Sequence, residues 1–584
     1  MALQKNYSPD VGFHLRSAQW MLENHKIISE DSFTYTSAGN KYFDLQWLYQ
    51  LFIYSVYSLG SDGLLIIVNA LLIRLSLVLV WMRYKNKMKE KQSPLLFSIF
   101  LLIAVQALPF EIRPHVLSWV FLSLVILLLQ RHKEKNSRQI YVVPLVLLVW
   151  VNSHSLAILG LAAVLIYALG ARLEKKPDKL MERIALASII VFFINPYFTE
   201  GFLFPFKQFS IIKGSALQKQ YIGEMQSPFT WHEFKQQGLA YLLNPLFYMQ
   251  AYSLLALWVG IKNFLRKEYT NALLIGAFFI ILCMAMKNYG YFVMASFPLT
   301  VKYYDEWLGK RRAAKKAKSQ RFSAVAYPAI CIGAIIIILT SITDGYSLIR
   351  RSPYRFGFSA DEESVPVGAV RYLNSNKIYG RILNHLDFGG YLMYHYPEKV
   401  FIDGRMELPS ENLFRSYFNS LQPNGIKSLI TEYDPEIIIF PYIKATGWWS
   451  FLLKNKDYRA VYFDGLAAIY LRNDKFTAIP AVDPDANVHV DKASILSSLA
   501  IQKPGLTAAF FKSFFQKQYY PIAEQNMATF CFTCGFNNAA LDYSIQGLKK
   551  ATVNPKNIFY NLNLYFRQQG LYNEAAICAA RAKS

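Results

Sequence analysis

Residues 63–81 have the sequence GLLIIVNALLIRLSLVLVW, an apolar run in which Arg74 is the single charged residue. A helix of this length can cross the hydrocarbon core of a bilayer, which is about 30 Å thick. Residues 324–340 form a second run of this kind. The sequence therefore predicts a polytopic membrane protein. Because a charge at mid-membrane depth is costly, Arg74 is expected to pair inside the helical bundle.

The composition of the whole chain agrees with this prediction. Of its 584 residues, 53% are hydrophobic and 17% are charged, whereas soluble domains carry about 25% charged residues. The hydrophobic pattern predicts ten spans, at residues 62–82, 94–110, 115–130, 140–153, 155–171, 183–197, 247–261, 269–286, 289–304 and 324–343.

The formal net charge of +23 is concentrated in loops between the apolar runs. The loops rich in Lys and Arg are residues 83–92, 131–138, 172–183, 262–268 and 302–321. They follow every second span, so the positive-inside rule places all of them in the cytoplasm. The charge thus indicates orientation and does not indicate nucleic acid as a partner. The membrane lipid is the expected environment, and the inner (plasma) membrane is the expected location.

This topology places residues 1–61 and residues 344–584 on the exocytoplasmic, or periplasmic, side. Residues 1–61 then form a first exocytoplasmic loop, in which the amphipathic run Trp47–Leu59 is expected to lie flat at the membrane interface. No span or signal sequence precedes this loop. We therefore expect a further membrane helix to be encoded ahead of Met1.

The chain changes character after the predicted transmembrane bundle, residues 62–343. Short apolar runs alternate with helical patterns over residues 344–475, which predicts a small soluble α/β domain. Its strands are expected at residues 379–383, 399–402, 436–440, 459–463 and 467–471.

A proline- and aspartate-rich linker, residues 476–490, leads to a helical tail, residues 491–584. In this tail the hexapeptide beginning at Gly535 returns in similar form at Gly570. The offset is close to the tetratricopeptide period of about 34 residues, so the tail is interpreted as tetratricopeptide-like. It is a candidate site for a protein partner.

The five cysteines predict no disulfide framework. Cys531 and Cys534 form an isolated C-x-x-C, and a zinc site normally needs a second pair of ligands. Packing, or a local disulfide if the tail is exocytoplasmic, is the favoured interpretation.

Polar residues near the span ends fall mainly in the exocytoplasmic loops. The stretch PDVGFHLR, residues 9–16, contains Asp10, His14 and Arg16. A carboxylate beside the membrane can act as a general base toward a hydroxyl, or can hold a metal or a sugar hydroxyl. Alternatively, Asp10 caps the helix that begins near Gly12, and His14 is an interfacial aromatic residue.

Further candidate residues follow along the exocytoplasmic loops: Asp31, Arg113, His115, Asn152, His154, Glu224 and Lys287. Each has a structural alternative. Arg113 can snorkel to the interface from a span end, and Asn152 and His154 can satisfy a helix terminus. The tripeptide Asp403-Gly404-Arg405 follows a predicted strand, so a turn with a structural salt bridge is favoured there.

Taken in order, these motifs resemble bacterial GT-C-type glycosyltransferases of the protein mannosyltransferase and aminoarabinose transferase superfamily. The resemblance covers residues 8–475 and leaves the helical tail outside. The motifs are P-D-x-x-x-H-L-R at 9–16, Asp31–Thr36, Trp47-Leu48, Arg113-Pro114-His115, Trp150-x-Asn152-x-His154, Asn195-Pro196-Tyr197, Glu224–Pro228 and Phe401–Arg405.

The resemblance implies a GT-C fold and an inverting enzyme that moves a sugar from a polyprenyl-phosphate carrier to an acceptor. The acceptor can be a glycan, a lipid or a protein. Asp10 matches the position of the catalytic carboxylate. The remaining candidates would bind substrate. The phosphate would be bound by Arg16, Arg113, His115 and Lys287, and sugar hydroxyls or a divalent cation by Asp31 and Glu224. Other parts of the substrate would be bound by His14, Asn152 and His154. Whether the protein binds a divalent cation is left open by the sequence.

The sequence departs from the family pattern in two places. It lacks the adjacent Asp-Glu pair of the protein mannosyltransferases, and it has Lys287-Asn288-Tyr289 where an arginine is expected. Two alternatives from other function classes remain, a non-catalytic membrane assembly or scaffold protein and a transporter of lipid-linked sugars. Spans interrupted by Gly and Pro in corresponding halves, typical of transporters, are not evident.

Overall fold

The computed structural model describes residues 2–85, 93–214, 222–229, 238–315, 320–349, 354–486, 488–501 and 503–583. Parts of two of the basic loops, residues 83–92 and 302–321, lie outside these ranges.

The first part of the chain is helical. Its helices are α1 (Val11–Asn24), α2 (Trp47–Tyr84), α3 (Ser93–Val105), α4 (Pro114–Lys135), α5 (Val143–Val151), α6 (Ile158–Leu173), α7 (Lys179–Val191), α8 (Phe198–Gly214), α9 (Pro245–Leu265), α10 (Tyr269–Met284), α11 (Tyr289–Lys315) and α12 (Gln320–Ile342). Short 3₁₀ turns occur at Arg138–Val142, Ser155–Ala157, Gly223–Met225, Gly238–Leu243 and Met286–Asn288.

Each of the ten predicted spans overlaps one of these helices. Among the described residues, three helices are long and apolar enough to cross a membrane, Trp47–Tyr84, Pro114–Lys135 and Ser155–Leu173. Shorter apolar helices are Ser93–Val105, Arg138–Val151, Tyr269–Met284 and Pro328–Ile342. The chain is thus an integral membrane protein, and the number of ten spans stays a prediction.

Helix α2 consists of two helical parts joined by a break. Gly60 and Ser61 have non-helical dihedral angles, with φ of −161° at Gly60 and +50° at Ser61. A left-handed φ at a serine is uncommon and ends the regular hydrogen-bond pattern. The break separates the amphipathic run Trp47–Leu59 from the apolar part of the helix that follows.

The prediction that Arg74 pairs inside the bundle is wrong. Its side chain is exposed on α2, together with the apolar side chains of Ile67, Leu71 and Leu75. These residues recur at intervals of three or four, so they share one face of the helix. That face points away from the packed interior.

The interior of the bundle is built around α4, which packs against α2, α6 and α11. Arg83 is also buried there, and its guanidinium donates to the carbonyl oxygens of Met294 and Ala295 in α11. Pro298 lies four residues after Met294 and has no N–H, so the Met294 carbonyl has no helical partner. Arg83 therefore satisfies a carbonyl group that the proline leaves free.

Residues after α12 form a mixed α/β region. Its helices are α13 (Gly345–Ile349), α14 (Val367–Ser375), α15 (Leu386–His395), α16 (Glu411–Ser420), α17 (Ile426–Tyr433) and α18 (Thr446–Leu452). Its strands are β1 (Ile382–Asn384), β2 (Ile437–Phe440), β3 (Tyr458–Phe463) and β4 (Ala468–Arg472), in the order β1-β2-β4-β3.

Strands β1 and β2 are parallel, with Ile382 opposite Ile437, and β4 is antiparallel to both β2 and β3. The strand predicted at residues 399–402 is wrong. In that segment Val400 makes a single bridge to Thr34, from the first loop. The apolar run is irregular chain, with Val400 in one hydrophobic core and Phe401 and Ile402 in another.

The first loop and the α/β region share one hydrophobic core. Helix α1 packs directly on α15, and glycine makes this approach feasible. A Cβ at Gly12 would lie 2.0 Å from the carbonyl oxygen of Gly390, and a Cβ at Gly390 would lie 2.2 Å from that of Pro9. The shared core includes Phe13, Ala18, Met21 and Ile28 from the first loop and Phe388, Leu392, Ile437 and Ile469 from the α/β region.

The tail contains α19 (Lys492–Ala500), α20 (Leu506–Lys512), α21 (Ile522–Cys534), α22 (Asn537–Lys550), α23 (Lys556–Gln568) and α24 (Tyr572–Lys583). The last four form two helix pairs, and the turn within each pair contains a glycine with positive φ, Gly535 or Gly570. Phe530 of α21 stacks on Phe463 of β3, with ring centroids 4.3 Å apart. All five cysteines are free.

Candidate functional site

Three carboxylates from separate segments meet at Arg113. This arginine lies between α3 and α4, and its Nε is 2.9 Å from Asp10 Oδ2 and 2.7 Å from Glu111 Oε2. Its Nη1 donates a hydrogen bond to Glu224 Oε2 at 3.0 Å. Asp10 precedes α1, and Glu224 lies in the 3₁₀ turn Gly223–Met225. The structure thus brings together three sequence-predicted site residues and Glu111.

The side chain of Asp10 is not a helix cap. Asp10 occupies the N-cap position of α1, but its carboxylate makes no capping hydrogen bond to the first turn. A capping aspartate would normally accept from a backbone N–H two or three residues ahead. The carboxylate is directed to Arg113 instead.

Gly404 completes the surroundings of Asp10. A Cβ at this position would lie 2.5 Å from Asp10 Oδ1 and 3.6 Å from a ring carbon of Phe13. A side chain at position 404 would therefore require the Asp10 carboxylate to move. The α/β region thus contributes one wall of the site, through a tripeptide that sequence analysis interpreted as a structural turn.

The electrostatics of the cluster follow from burial and from Arg113. Burial raises the pKa of Asp10, the charge of Arg113 lowers it, and the net direction is upward. Burial likewise raises the pKa of Glu111 against the opposing effect of Arg113. At Glu224 burial acts in the same sense, but the charges of Arg113 and Lys287 outweigh it and lower the pKa. The cluster thus contains carboxyls with opposite tendencies to hold a proton.

Lys287 lies in the 3₁₀ turn between α10 and α11. Burial lowers its pKa, the charge of Glu224 acts in the opposite direction, and the charge of Arg113 lowers it further. The backbone N–H of Met286 donates to the carbonyl oxygen of Gln226 at 2.8 Å. This hydrogen bond joins the turn that holds Lys287 to the segment that holds Glu224.

His115 and His154 face the bundle beside this cluster. The ring of His115 packs on Trp119, with centroids 4.9 Å apart. His154 Nδ1 lies 2.8 Å from the Ser118 hydroxyl, which accepts the indole N–H of Trp150. Ser118 therefore connects His154 to the indole of Trp150.

Asp31 lies in a different network. Arg405 Nη2 is 2.8 Å from Asp31 Oδ1 and 2.6 Å from Asp403 Oδ2, and all three side chains are buried. Asp31 also accepts from the backbone N–H of Phe33 and the hydroxyl of Thr34. The Asp403-Gly404-Arg405 salt bridge is structural, as predicted, and it joins the first loop to the α/β region.

His14 and Arg16 lie on α1, and burial together with the nearby charge of Arg113 lowers the pKa of His14. The His14 ring is buried between Phe13 and Tyr49. Arg16 is 3.6 Å from Glu23 along α1.

Asn152 accepts from the indole N–H of Trp47 and donates to the carbonyl oxygens of Leu148 and Ile194. Its polar atoms thus satisfy a helix end, which agrees with the structural alternative for this residue.

The described residues include no group of three or more His, Cys, Asp or Glu side chains arranged to hold a metal ion. At the candidate site, the position shared by Asp10, Glu111 and Glu224 is taken by the Arg113 guanidinium. A divalent cation there would have to displace a charge already in ion-pair contact. The arrangement does not fit a metal, so no chemical step is assigned to one.

Sequence analysis missed two residues of the site, Glu111 and Gly404. Glu111 lies two positions before Arg113, just ahead of the motif Arg113-Pro114-His115, and this proximity was the available signal. Gly404 lies far from Asp10 along the chain, so no local pattern relates the two.

Neither the protein-family models nor the curated proteins compared with the chain give a match. Solved structures do. The archaeal oligosaccharyltransferase AglB from Archaeoglobus fulgidus, in complex with an inhibitory peptide and a dolichol-phosphate, is 12% identical with a TM-score of 0.51. The match covers 97% of this chain and 82% of AglB. The chain therefore shares its overall fold with this oligosaccharyltransferase structure.

Two further structures give lower scores. The apo form of the Archaeoglobus fulgidus oligosaccharyltransferase has a TM-score of 0.48 at 12% identity, over 78% of this chain and 69% of that one. ArnT from Cupriavidus metallidurans, in the apo state, has a TM-score of 0.44 at 11% identity, over 80% of this chain and 94% of that one.

Proposed function

We propose that this protein is an inverting membrane glycosyltransferase that moves a sugar from a polyprenyl-phosphate carrier to an acceptor at the outer face of the membrane. The observation that carries the proposal is the convergence of Asp10, Glu111 and Glu224 on Arg113 at the loop end of a GT-C bundle. The dolichol-phosphate and the peptide bound to AglB support a lipid-linked donor and a separate acceptor.

In this proposal Asp10 is the general base. As the acceptor oxygen attacks the anomeric carbon, its proton moves to an Asp10 carboxylate oxygen. The bond between the anomeric carbon and the phosphate oxygen breaks, and the carrier phosphate leaves with the electron pair. Attack from the side opposite the phosphate inverts the anomeric centre. The raised pKa of Asp10 suits this role, because a base works best when its pKa approaches the operating pH.

Arg113 and Lys287 are the proposed partners of the departing phosphate. A guanidinium can donate two parallel hydrogen bonds to phosphate oxygens, and an ammonium supplies a point charge. Arg113 is in ion-pair contact with Asp10, and a proton taken up by Asp10 weakens that contact. The same step that consumes the base therefore weakens one of the three ion pairs of the guanidinium while negative charge develops on the phosphate.

The proposal includes the predicted membrane arrangement. The basic loops lie in the cytoplasm, and the first loop, the α/β domain and the tail are exocytoplasmic, in the inner membrane of a bacterium. The division into residues 1–61, 62–343, 344–475, 476–490 and 491–584 belongs to it as well. The tetratricopeptide-like tail is the proposed site of any protein partner.

The substitution Asp10→Asn tests the proposal. It keeps the size of the side chain and removes its basicity, so turnover should fall by about 10²–10⁴-fold while carrier binding changes little. The assay is sugar transfer from synthetic polyprenyl-phosphate sugars by the purified protein. Glu23→Gln, at an exposed position on α1, is the matched control and should retain activity.

Near-wild-type turnover by folded Asp10→Asn protein would contradict the assignment of the base. If wild-type protein binds the carrier but transfers no sugar, the result supports the assembly-protein alternative instead. In active wild-type protein, turnover should decrease as the pH falls through the raised pKa of Asp10, because the protonated carboxyl cannot accept a proton.

A further inference from the structure

The tail carries a surface of exposed aromatic and basic side chains, here called the aromatic–basic segment, residues 506–517. Phe511 is 63% exposed and Phe515 is 92% exposed, and Lys512 and Lys517 are exposed as well. Isolated apolar residues are common on protein surfaces, but two exposed phenyl rings within five positions of one segment are unfavourable in water. Between Asp491 and Glu524 the sequence contains four Lys and no Asp or Glu.

This segment is fixed to the end of the last apolar helix. Helix α12 ends at Ile342, and the next carbonyl oxygen, that of Thr343, accepts the backbone N–H of Gln518 at 2.7 Å. A Cβ at Gly345 would lie 2.1 Å from the Ser513 hydroxyl oxygen. The backbone that follows α12 is therefore in direct contact with the aromatic–basic segment. The aromatic–basic segment therefore lies at the level where α12 leaves the apolar zone.

A second contact places the end of α3 at the same depth as the end of α12. Tyr346 of α13 donates a hydrogen bond to the side-chain carbonyl of Gln106, which directly follows α3. Helix α3 is another of the short apolar helices, residues 93–105. The ends of α3 and α12 thus meet at α13, and Ala509 of the aromatic–basic segment packs in a small core with Leu348 of the same helix.

The exposed rings lie on the side away from that core. Ala509 and Ser513 are buried against α13, whereas Phe511 and Phe515 are exposed. Phe511 lies in the last turn of α20, and Phe515 lies in the turn that follows this helix. Helix α12 also exposes apolar side chains at intervals of three or four: Ile332, Ile335, Ile338, Leu339 and Ile342. That stripe ends at the level of the aromatic–basic segment.

We propose that the aromatic–basic segment is a membrane-surface contact. Phe511 and Phe515 enter the boundary between lipid headgroups and acyl chains, and Lys512 and Lys517 lie on anionic lipid phosphates. Aromatic side chains with flanking lysines are favourable in this zone, since the rings leave water and the ammonium groups stay at the polar surface. The lipid belongs to the membrane that the protein itself spans, because α12 places the segment there.

The contact fixes the height of the α/β region above the membrane. Helix α21 follows the segment and stacks Phe530 on the sheet, and the same region supplies Gly404 to the candidate site. The inference does not depend on the proposed glycosyl transfer, because it rests on the position of the segment alone.

Nitroxide labelling of the full-length protein tests this inference. In protein whose native cysteines are replaced by alanine, a label at Phe515→Cys is reconstituted in bilayers that contain anionic lipid. Its collision rates with oxygen and with a water-soluble nickel chelate report its depth. Tyr572→Cys, at a site 72% exposed on α24, is the matched control. Phe511→Cys gives a second position in the segment.

The labels at positions 511 and 515 should be several-fold less accessible to nickel than the label at position 572, and more accessible to oxygen. Replacing Lys512 and Lys517 by glutamine, or omitting the anionic lipid, should reduce this difference. Equal nickel accessibility at positions 515 and 572 would overturn the inference. Dipolar broadening between labels at position 515 would also overturn it, because it would show that the segment meets a second copy of the chain.

Discussion

Replacing Arg113 by glutamine would remove the cation that contacts Asp10, Glu111 and Glu224. Removing one partner of a buried ion pair costs about 3–5 kcal/mol. The side chains of Arg113, Asp10 and Glu111 are 22%, 20% and 17% exposed, so water offsets part of this penalty. Glu224 is 40% exposed, so its ion pair with Arg113 resembles a surface pair. Such a pair contributes under about 1 kcal/mol to the stability. The expected loss is near the lower limit, roughly 3 kcal/mol.

The stability that Arg113→Gln loses relative to wild type should depend on pH. Burial already raises the pKa of Asp10 and of Glu111, and without Arg113 both should rise further. A carboxyl whose pKa is higher in the folded state binds its proton more tightly there. Stability therefore falls as the pH increases from the ordinary carboxyl pKa through the raised one. Arg113→Gln should be destabilised more at about pH 8 than at about pH 5, where protonation relieves the uncompensated charge.

Thermal unfolding of the detergent-solubilised protein at the two pH values measures the effect. Arg415→Gln is the matched control, because Arg415 pairs with Glu411 at 3.1 Å on an exposed helix surface. Arg113→Lys keeps the charge but loses the planar guanidinium, so its Tm should lie between those of wild type and Arg113→Gln. An equal loss of Tm at both pH values, or a loss no larger than that of Arg415→Gln, would refute the reasoning.

Two further predictions concern the wall of the site and the topology. Gly404→Ala should displace the Asp10 carboxylate and reduce sugar transfer in folded protein, since its Cβ would lie 2.5 Å from Asp10 Oδ1. Gly505→Ala, with open space around the new methyl group, should retain activity; equal activity of the two variants would contradict the contact. A membrane-impermeant thiol reagent added outside should label Asn412→Cys and leave Lys267→Cys unlabelled, and the reverse pattern would invert the predicted topology.

Much of the helical architecture follows from the sequence, because apolar runs and basic loops are local signals. The break at Gly60 and Ser61 falls where the predicted interfacial run ends and the first span begins. Arg74 was mispredicted since a helical period shows which residues share a face but not which face is packed. The run at residues 399–402 was mispredicted because strands and irregular buried chain have the same short apolar pattern.

The candidate site was only partly accessible to sequence reasoning. Asp10, Arg113 and Glu224 belong to recognisable motifs, and the structure joins them. The pairing of Asp31 with Arg405 removes Asp31 from that group, and this pairing depends on two segments far apart along the chain. A single sequence contains no signal for such contacts, which arise from the docking of the first loop on the α/β region.

The approach of Gly404 to Asp10 has a consequence for biosynthesis. Chains are elongated at about 5–20 residues per second, and N-terminal parts fold first. About 400 residues separate these two positions, so a nascent chain holds Asp10 for roughly 20–80 s before its neighbour is made. During that interval the helices can enter the bilayer while the carboxylate still faces water. The candidate site would then be completed late in translation, after the bundle has inserted into the membrane.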